Sequence, residues 1–278
     1  MFRHFPLYLV FAVLSVCAHA GFDEGASAYD RKDYALAFRE WKPLAEKGNA
    51  AAQNKLAGMY AHGLGVPADD VQAAQWTQKA ARQGLAPAQY NLGKFYEAGQ
   101  GVKHDDAEAF RWHRKAAEQG MPKAQCRVAN MLAHGVGVAQ DNAQAVLWYR
   151  KAVAQGDADA EVGLAFMYVM GTGVEQDYAR AVGLYRQAAD LDLAFAQNML
   201  GYMYAEGLGV PQDYAQALEW RRKAAEQDVP EAQFDLGAMF EKGQGVPQDY
   251  VKAVQWYRRA AAQGFAPAQQ SLDRFANK

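Results

Sequence analysis

The sequence has few of the residues that a catalytic or disulfide-stabilised protein would use. It contains two cysteines, Cys17 and Cys126, so at most one intramolecular disulfide can form. Past residue 20 the only serines are Ser27 and Ser271, and neither lies in the Gly-x-Ser-x-Gly motif of a hydrolase nucleophile. The 29 Lys and Arg residues do not exceed the 31 Asp and Glu residues, which argues against nucleic-acid binding. With 51% hydrophobic and 22% charged residues, the composition is that of a globular chain.

The N-terminus differs in character from the rest of the sequence. Arg3 precedes the apolar stretch Leu7–Leu14, which is shorter than the ~20 residues that span a bilayer. We interpret residues 1–20 as a secretory signal peptide with cleavage after Ala20, which predicts a periplasmic or secreted protein that is not inserted in the membrane. Two alternatives are an N-terminal core helix and a lipoprotein modified at Cys17.

A glycine-rich motif recurs through the sequence at one constant spacing. Gly-x-Gly-Val appears six times, every 36 residues, without insertion or deletion, and its first glycines are Gly63, Gly99, Gly135, Gly171, Gly207 and Gly243. A fixed period of this length is typical of repeat architectures in which each repeat packs against its neighbours.

Each repeat predicts two helices, which we call helix A and helix B. In the first repeat, helix A begins near Ala52, and Leu56 and Tyr60 recur on its apolar face. Gly63 can adopt the left-handed conformation that ends a helix, and we expect the valine of the turn to pack between the two helices. Asp69 is suited to cap the start of helix B because its carboxylate accepts from free backbone N–H groups.

Helix B combines one large ring with small residues. The places of Ala73 and Ala80 hold Ala in all six repeats, and the place of Trp76 holds Trp in every repeat except the fourth, which has Leu184. This pattern predicts close helix packing, with the ring opposite the alanines. Lys and Arg recur near the end of helix B, where cations suit the negative end of a helix.

The repeats divide the chain into four predicted regions. Residues 1–20 are the signal peptide, residues 21–49 an N-terminal half-repeat cap, residues 50–265 the six tandem repeats, and residues 266–278 a C-terminal capping helix. Terminal half-repeats cover the apolar ends that an array would otherwise expose.

The repeat resembles the Sel-one-like repeat (SLR) family, a relative of the tetratricopeptide repeat. In the fifth repeat the motif reads Ala196-Gln197-x-x-Leu200-Gly201-x-x-Tyr204-x-x-Gly207-x-Gly209-Val210-Pro211-x-Asp213-Tyr214-x-x-Ala217-x-x-Trp220. The resemblance implies an all-α fold, a right-handed α/α superhelical solenoid with helix A on its concave side and helix B outside. It also implies an adaptor that binds other proteins. Some secreted members linked to β-lactam chemistry carry a cysteine pair in each repeat, which this chain lacks.

No constellation of residues indicates catalysis, a metal or a cofactor. Gly-x-Gly-Val lacks the Lys-Ser/Thr of a phosphate-binding loop and follows a helix rather than a strand. His62 and His134 share one place in the repeat but lie two repeats apart, too far to bind one metal ion together. We therefore predict that the protein is not an enzyme and binds no cofactor, metal or nucleic acid.

A cluster of apolar residues interrupts the otherwise polar face of helix A. In the first repeat this face carries Lys55, Gly58 and His62. The same places hold Gly163, Phe166 and Met170 in the fourth repeat, and Met199, Tyr202 and Glu206 in the fifth. Large exposed apolar patches usually mark binding sites, and aromatic residues and Met are enriched at interfaces. We predict a partner-binding patch in the concave groove; the alternative is that packing between repeats buries part of it. Its residues are Phe166, Met170, Phe195, Met199 and Tyr202.

The sequence therefore predicts an exported scaffold or adaptor that binds a protein partner in its concave groove. A cell-wall or β-lactam hydrolase-like protein and a secreted effector that contacts host proteins are the alternatives. The identity of the partner does not follow from the sequence.

Overall fold

The computed structural model describes residues 21–276, in which every regular element is an α-helix. The predicted signal peptide, residues 1–20, lies outside the described residues. The helices are α1 (21–30), α2 (Tyr34–Glu46), α3 (Ala50–His62), α4 (Asp70–Arg82), α5 (Ala86–Ala98), α6 (Asp106–Glu118), α7 (Pro122–His134), α8 (Asn142–Val153), α9 (Ala158–Met170), α10 (Tyr178–Asp190), α11 (Ala194–Glu206), α12 (Tyr214–Glu226), α13 (Pro230–Lys242), α14 (Tyr250–Ala262) and α15 (Ala266–Ala276).

The chain forms two compact units, which we call unit 1, ending at Gln140, and unit 2, beginning at Asp141. Within each unit, every helix from α2 onwards packs against the next helix along the chain. Helix A of the six repeats is α3, α5, α7, α9, α11 and α13, and helix B is α4, α6, α8, α10, α12 and α14. The predicted all-α solenoid of 36-residue helix pairs is confirmed.

Local capping residues set the ends of these helices as predicted. Gly63 ends α3 with φ of 64°, and the corresponding glycines of the other repeats are also left-handed. Asp69 accepts a hydrogen bond of 2.9 Å from the backbone N of Gln72 at the start of α4. Helix A begins at Ala50, two residues earlier than predicted, because Asn49 caps it by accepting from the backbone of the first turn.

The second glycine of each turn is needed where two backbones meet. At Gly101 a Cβ atom would lie 1.9 Å from the carbonyl oxygen of Asp70, at the start of the preceding helix B. The same clash would occur at Gly65 with Tyr34 in unit 1 and at Gly209 with Tyr178 in unit 2. A side chain there would push consecutive repeats apart, so this glycine holds their spacing.

In five of the six repeats a buried glutamine joins helix A to the helix before it. Gln53 Nε2 donates to the Ala45 carbonyl oxygen at 2.9 Å, and Gln83 Nε2 donates to Gln53 Oε1 at 2.8 Å. Within each unit the first bond recurs at 3.1–3.3 Å and the second at 2.7–3.0 Å, with the donors Gln89, Gln119, Gln125, Gln197, Gln227, Gln233 and Gln263. We call this series the glutamine ladder.

The fourth repeat departs from the glutamine ladder at both places. Glu161 stands where the other five repeats have the buried glutamine, and Leu191 stands at the place of Gln83. Glu161 is buried, and its Oε2 has no hydrogen-bond partner. Burial, followed by the charge of Asp157, raises the pKa of the Glu161 carboxyl above its usual value. The fourth repeat, in unit 2, therefore lacks the hydrogen bonds that the glutamine ladder supplies in other repeats.

Candidate functional site

The predicted apolar patch lies in unit 2, on α9 and α11. Phe166 and Met170 of α9 are 46% and 55% exposed. On α11, Phe195 and Tyr202 are 54% and 41% exposed, while Met199 is half-buried. Packing between the repeats therefore covers part of Met199 and leaves the other four side chains open to solvent.

Helical spacing explains why these side chains point outwards together. Phe166 and Met170 are four residues apart, and Phe195, Met199 and Tyr202 follow at steps of four and three, so each set lies on one helix face. The opposite face of α9 is buried, as in the other repeats. Phe166 and Tyr202 occupy the same place in consecutive repeats, 36 residues apart. The repeat geometry therefore places the apolar faces of α9 and α11 on one side of unit 2. We call the surface formed by their outward-facing apolar residues the apolar patch; its members are Phe166, Met170, Phe195, Met199 and Tyr202.

A charged cavity of about 410 Å³ adjoins the apolar patch at Tyr202. On one wall, Arg221 is buried and places Nη2 3.3 Å from Oδ2 of Asp235. Burial raises the pKa of Asp235 more than the Arg221 charge lowers it. On another wall, Arg274 donates to both carboxylate oxygens of Glu241 at 2.8 and 2.9 Å. The patch thus combines an apolar centre with a charged edge, which is typical of interfaces.

Sequence reasoning missed this charged edge, although the repeat contained a signal for it. Arg221 occupies a place that holds Tyr185 in the repeat before and Tyr257 in the repeat after. Opposite it, Gly201 leaves the space, since a Cβ atom there would lie 2.7 Å from the Arg221 Cγ. Arg221 is the one Arg or Lys at a place that holds a ring in four of the six repeats, and comparison of the repeats could have found this departure.

A cavity of about 280 Å³ occurs in unit 1, between α3 and α5. Its floor includes Thr77, which stands at the same place as Arg221 and Tyr257. Thr77 is the smallest residue at this place in the array, so the volume that a ring fills in four other repeats stays open. Asn54 and Asn91 line the cavity together with Phe95 and small residues, so its lining is mixed polar and apolar.

The histidines between residues 21 and 276 do not form a metal site. His113 is fully buried, and its Nε2 lies 3.2 Å from Oε1 of Glu97, which also accepts from Arg127 at 2.6 Å. Burial acts to raise the pKa of Glu97, but the bonds with His113 and Arg127 outweigh it and hold that pKa below the usual range. His62 and His134 are exposed. Across residues 21–276, no group of three His, Cys, Asp or Glu side chains could hold a metal ion.

Helix pairs that recur every 36 residues and pack against the next helix within each unit define a solenoid repeat protein. The Sel1 repeat family matches residues 50–85, 86–121, 122–157, 158–193, 194–229 and 230–265. The chain belongs to the Sel1 repeat family. Proteins of this family are generally scaffolds for protein–protein interaction and not enzymes. Among curated proteins, none matches this chain.

Two solved structures support this assignment. One is a protective antigen present in uropathogenic Escherichia coli strains, with an SLR fold; it is 36% identical, with a TM-score of 0.87 over 99% of this chain. This chain spans 60% of the length of that protein. The other is a Sel1 repeat protein from Oxalobacter formigenes, 34% identical, with a TM-score of 0.79 over 86% of this chain and 96% of its own. In the described part, none of the helices combines the length and apolar character that crossing a membrane requires.

Proposed function

We propose that the protein is an exported scaffold that binds a protein partner on the apolar patch in its concave groove. The observation that carries this proposal is the exposure of Phe166, Met170, Phe195 and Tyr202 on consecutive helices A. Burying a large apolar side chain at an interface contributes about 1.5–3 kcal/mol, and aromatic residues often dominate binding energy. The preformed helices also avoid the ordering cost of a flexible binder.

Export is proposed from the character of residues 1–20. The test is to express the protein with its own N-terminus in a Gram-negative host and to measure its intact mass after fractionation. A periplasmic or secreted product that begins at Gly21 is expected. Cytoplasmic protein that retains its N-terminus would refute the export proposal but would leave the patch untouched. The culture medium should be examined together with the periplasm, because one similar protein is described as a protective antigen.

Crosslinking tests the apolar patch directly. A photo-crosslinking residue at Tyr202 is compared with one at Glu219, an exposed position on helix B of the same repeat. The expected result is a discrete protein product from the Tyr202 position and none from Glu219. Equal products from both positions, or none from either, would contradict the proposal.

Charge substitution separates binding from folding. Met170→Glu and Phe166→Glu should abolish the crosslinked product, because a carboxylate cannot be buried there unpaired. Each should change the free energy of unfolding by less than about 1 kcal/mol, since exposed sites tolerate substitution. A loss of several kcal/mol would show instead that these side chains belong to the core.

A further inference from the structure

In five of the six repeats, helix B carries a tryptophan ring that is covered by a cation. In unit 1, Lys79 Nζ lies 3.8 Å from the ring centroid of Trp76. The other pairs are Lys115 over Trp112 at 3.9 Å, Lys151 over Trp148 at 4.0 Å, Lys223 over Trp220 at 4.1 Å and Arg259 over Trp256 at 4.8 Å. In the fourth repeat Leu184 replaces the ring and Gln187 replaces the cation.

This replacement leaves an open cavity of about 370 Å³ on unit 2, which we call the ring notch. Leu184 and Gln187 form one side of the notch, and Leu164 and Tyr168 of α9 form the other. Leu184 is smaller than tryptophan and its neighbour Gly183 has no side chain, so the space that a ring fills in other repeats is vacant. The volume falls in the lower part of the ~300–1,000 Å³ range of ligand sites.

Two arginines meet at the edge of the ring notch. Arg150 Nη2 and Arg180 Nη1 donate to the hydroxyl oxygen of Tyr168 at 3.1 and 3.2 Å. Arg180 Nε also lies 3.2 Å from Oδ2 of Asp177. Each guanidinium has five N–H donors, and both side chains are exposed. Donors therefore remain for a further acceptor at this edge.

The positive charges of Arg150 and Arg180 affect the pKa of the Tyr168 hydroxyl. Burial acts to raise the pKa of Tyr168, but the bonds donated by Arg180 and Arg150 lower it below the usual value. The corresponding Tyr204 of the fifth repeat accepts from Arg186, while Gln216 occupies the place of Arg180 there. The sixth repeat also has a cation at this place, Lys252, but Phe240 stands there where the fourth repeat has Tyr168. Two arginines that donate to one tyrosine hydroxyl are therefore seen in the fourth repeat and not in the fifth or sixth.

We propose that the ring notch binds an aromatic side chain of a partner protein that has an acidic residue beside it. The ring would take the volume of the missing tryptophan, between Leu164 and Leu184. The adjacent carboxylate would accept from Arg150 and Arg180, since guanidinium and carboxylate pair in a planar, bidentate manner. The complementarity of shape and charge selects this occupant over a purely apolar one.

The ring notch is separate from the apolar patch. Leu164 and Tyr168 lie two residues before Phe166 and Met170 on α9, a rotation of about 200°. The notch and the patch therefore lie on opposite faces of α9. The inference does not depend on the function proposed above, and either one can fail alone.

The test is a titration of the full-length, ¹⁵N-labelled protein with short peptides, followed by NMR at the Gly183 amide and the arginine Nε–H signals. The probe is acetyl-Ala-Glu-Trp-Glu-Ala-amide. Its matched controls replace Trp by Leu, or both Glu by Lys. Indole-3-acetate serves as a free aromatic acid. Burial of the ring predicts that the Leu peptide binds about tenfold more weakly, and the Lys peptide should lose at least as much.

Substitutions in the protein provide the second arm. Leu184→Trp fills the notch with the residue that five other repeats carry, so the fold is kept and binding should fall about tenfold or more. Arg150→Gln should weaken binding of the acidic peptide about tenfold, whereas Arg222→Gln, at the same place two repeats on, should leave it unchanged.

Three results would overturn the proposal. One is no shift at Gly183 up to the solubility limit of the acidic Trp peptide. Another is equal binding by wild type and Leu184→Trp, because the ring would then lie elsewhere. The third is binding of indole-3-acetate without binding of the peptide, which would assign the notch to a free aromatic acid rather than to a protein partner.

Discussion

Replacing Glu161 by glutamine should stabilise the protein, because it restores a buried hydrogen bond and removes a buried charge. In the other repeats the glutamine Nε2 donates to a helix B carbonyl at 2.9–3.3 Å. The equivalent acceptor here is the carbonyl of Val153, eight residues before Glu161. An ionised carboxylate cannot donate to it, and Oε2 has no partner. Such a buried unsatisfied group costs about 1–3 kcal/mol, so a gain of that order is expected at pH 7.

The gain should depend on pH in a direction that the pKa of Glu161 determines. Burial and Asp157 raise this pKa in the folded state, so folding favours the protonated form. Below the unfolded pKa, about 4.3 for Glu, the carboxyl is protonated in both states and can donate as glutamine does. The destabilisation appears as the pH rises through the raised folded pKa. The advantage of Glu161→Gln should therefore be large at pH 7 and small near pH 4.

Urea denaturation at both pH values measures this effect, with Asp159→Asn as the control for loss of one exposed carboxylate on the same helix. The reverse substitution, Gln233→Glu, should destabilise the sixth repeat at pH 7 by about 1–3 kcal/mol, since Gln233 is fully buried. Equal stability of Glu161→Gln and wild type at pH 7, or an equal gain at pH 4, would refute the reasoning.

Three further substitutions test other parts of the fold by the same denaturation assay. Gly101→Ala should lower the free energy of unfolding by several kcal/mol, because its Cβ would clash with the preceding repeat. Gly120 is also left-handed but has open space around it, so Gly120→Ala should lower it by only about 1 kcal/mol. Equal losses would show that backbone strain alone accounts for the effect. Glu97→Gln should cost about 1–2 kcal/mol at neutral pH; because the folded pKa of Glu97 is lowered, this cost should vanish as the pH falls through that pKa. Leu191→Gln should raise the free energy of unfolding, because the new glutamine can donate to Glu161. Its effect should not add to that of Glu161→Gln, because the two side chains interact. If the two effects add exactly, the ladder bond between them does not form.

Features that depend on a few neighbouring residues could be predicted from the sequence. Gly63 ends a helix through its own φ, and Asp69 caps the helix that follows it by accepting from a backbone N–H three residues ahead, so both follow from local geometry. The apolar patch could be predicted because helical spacing decides which side chains of α9 and α11 share a face. Its four exposed members match that expectation, and partner binding there stays a prediction.

Features that depend on contact between helices could not be predicted in the same way. The bond from Gln83 to Gln53 spans 30 residues, and no sequence pattern states that two such places meet. Gly101 is the second glycine of a Gly-x-Gly-Val motif, but the contact that requires a glycine there is with Asp70 of the preceding repeat. The cations of helix B were predicted to suit the helix end, but they also lie over the tryptophan rings. In each case the missing information was the packing partner.

The fourth repeat combines departures that the repeat fold alone does not require. It loses the buried glutamine at Glu161, the ring at Leu184 and the ladder donor at Leu191, and it exposes Phe166 and Met170. A place that stays constant through the array serves the packing that all repeats share, so a departure costs stability unless something else compensates. If these departures are neutral, restoring the common residue at Glu161 and at Leu184 should raise stability and change nothing else. If the fourth repeat is the binding repeat, Leu184→Trp should raise stability while weakening peptide binding about tenfold or more, and Glu161→Gln should raise stability alone. Measuring the free energy of unfolding and the peptide affinity of both variants distinguishes these cases. Only at a position that serves binding should restoring the common residue raise stability and lower affinity together.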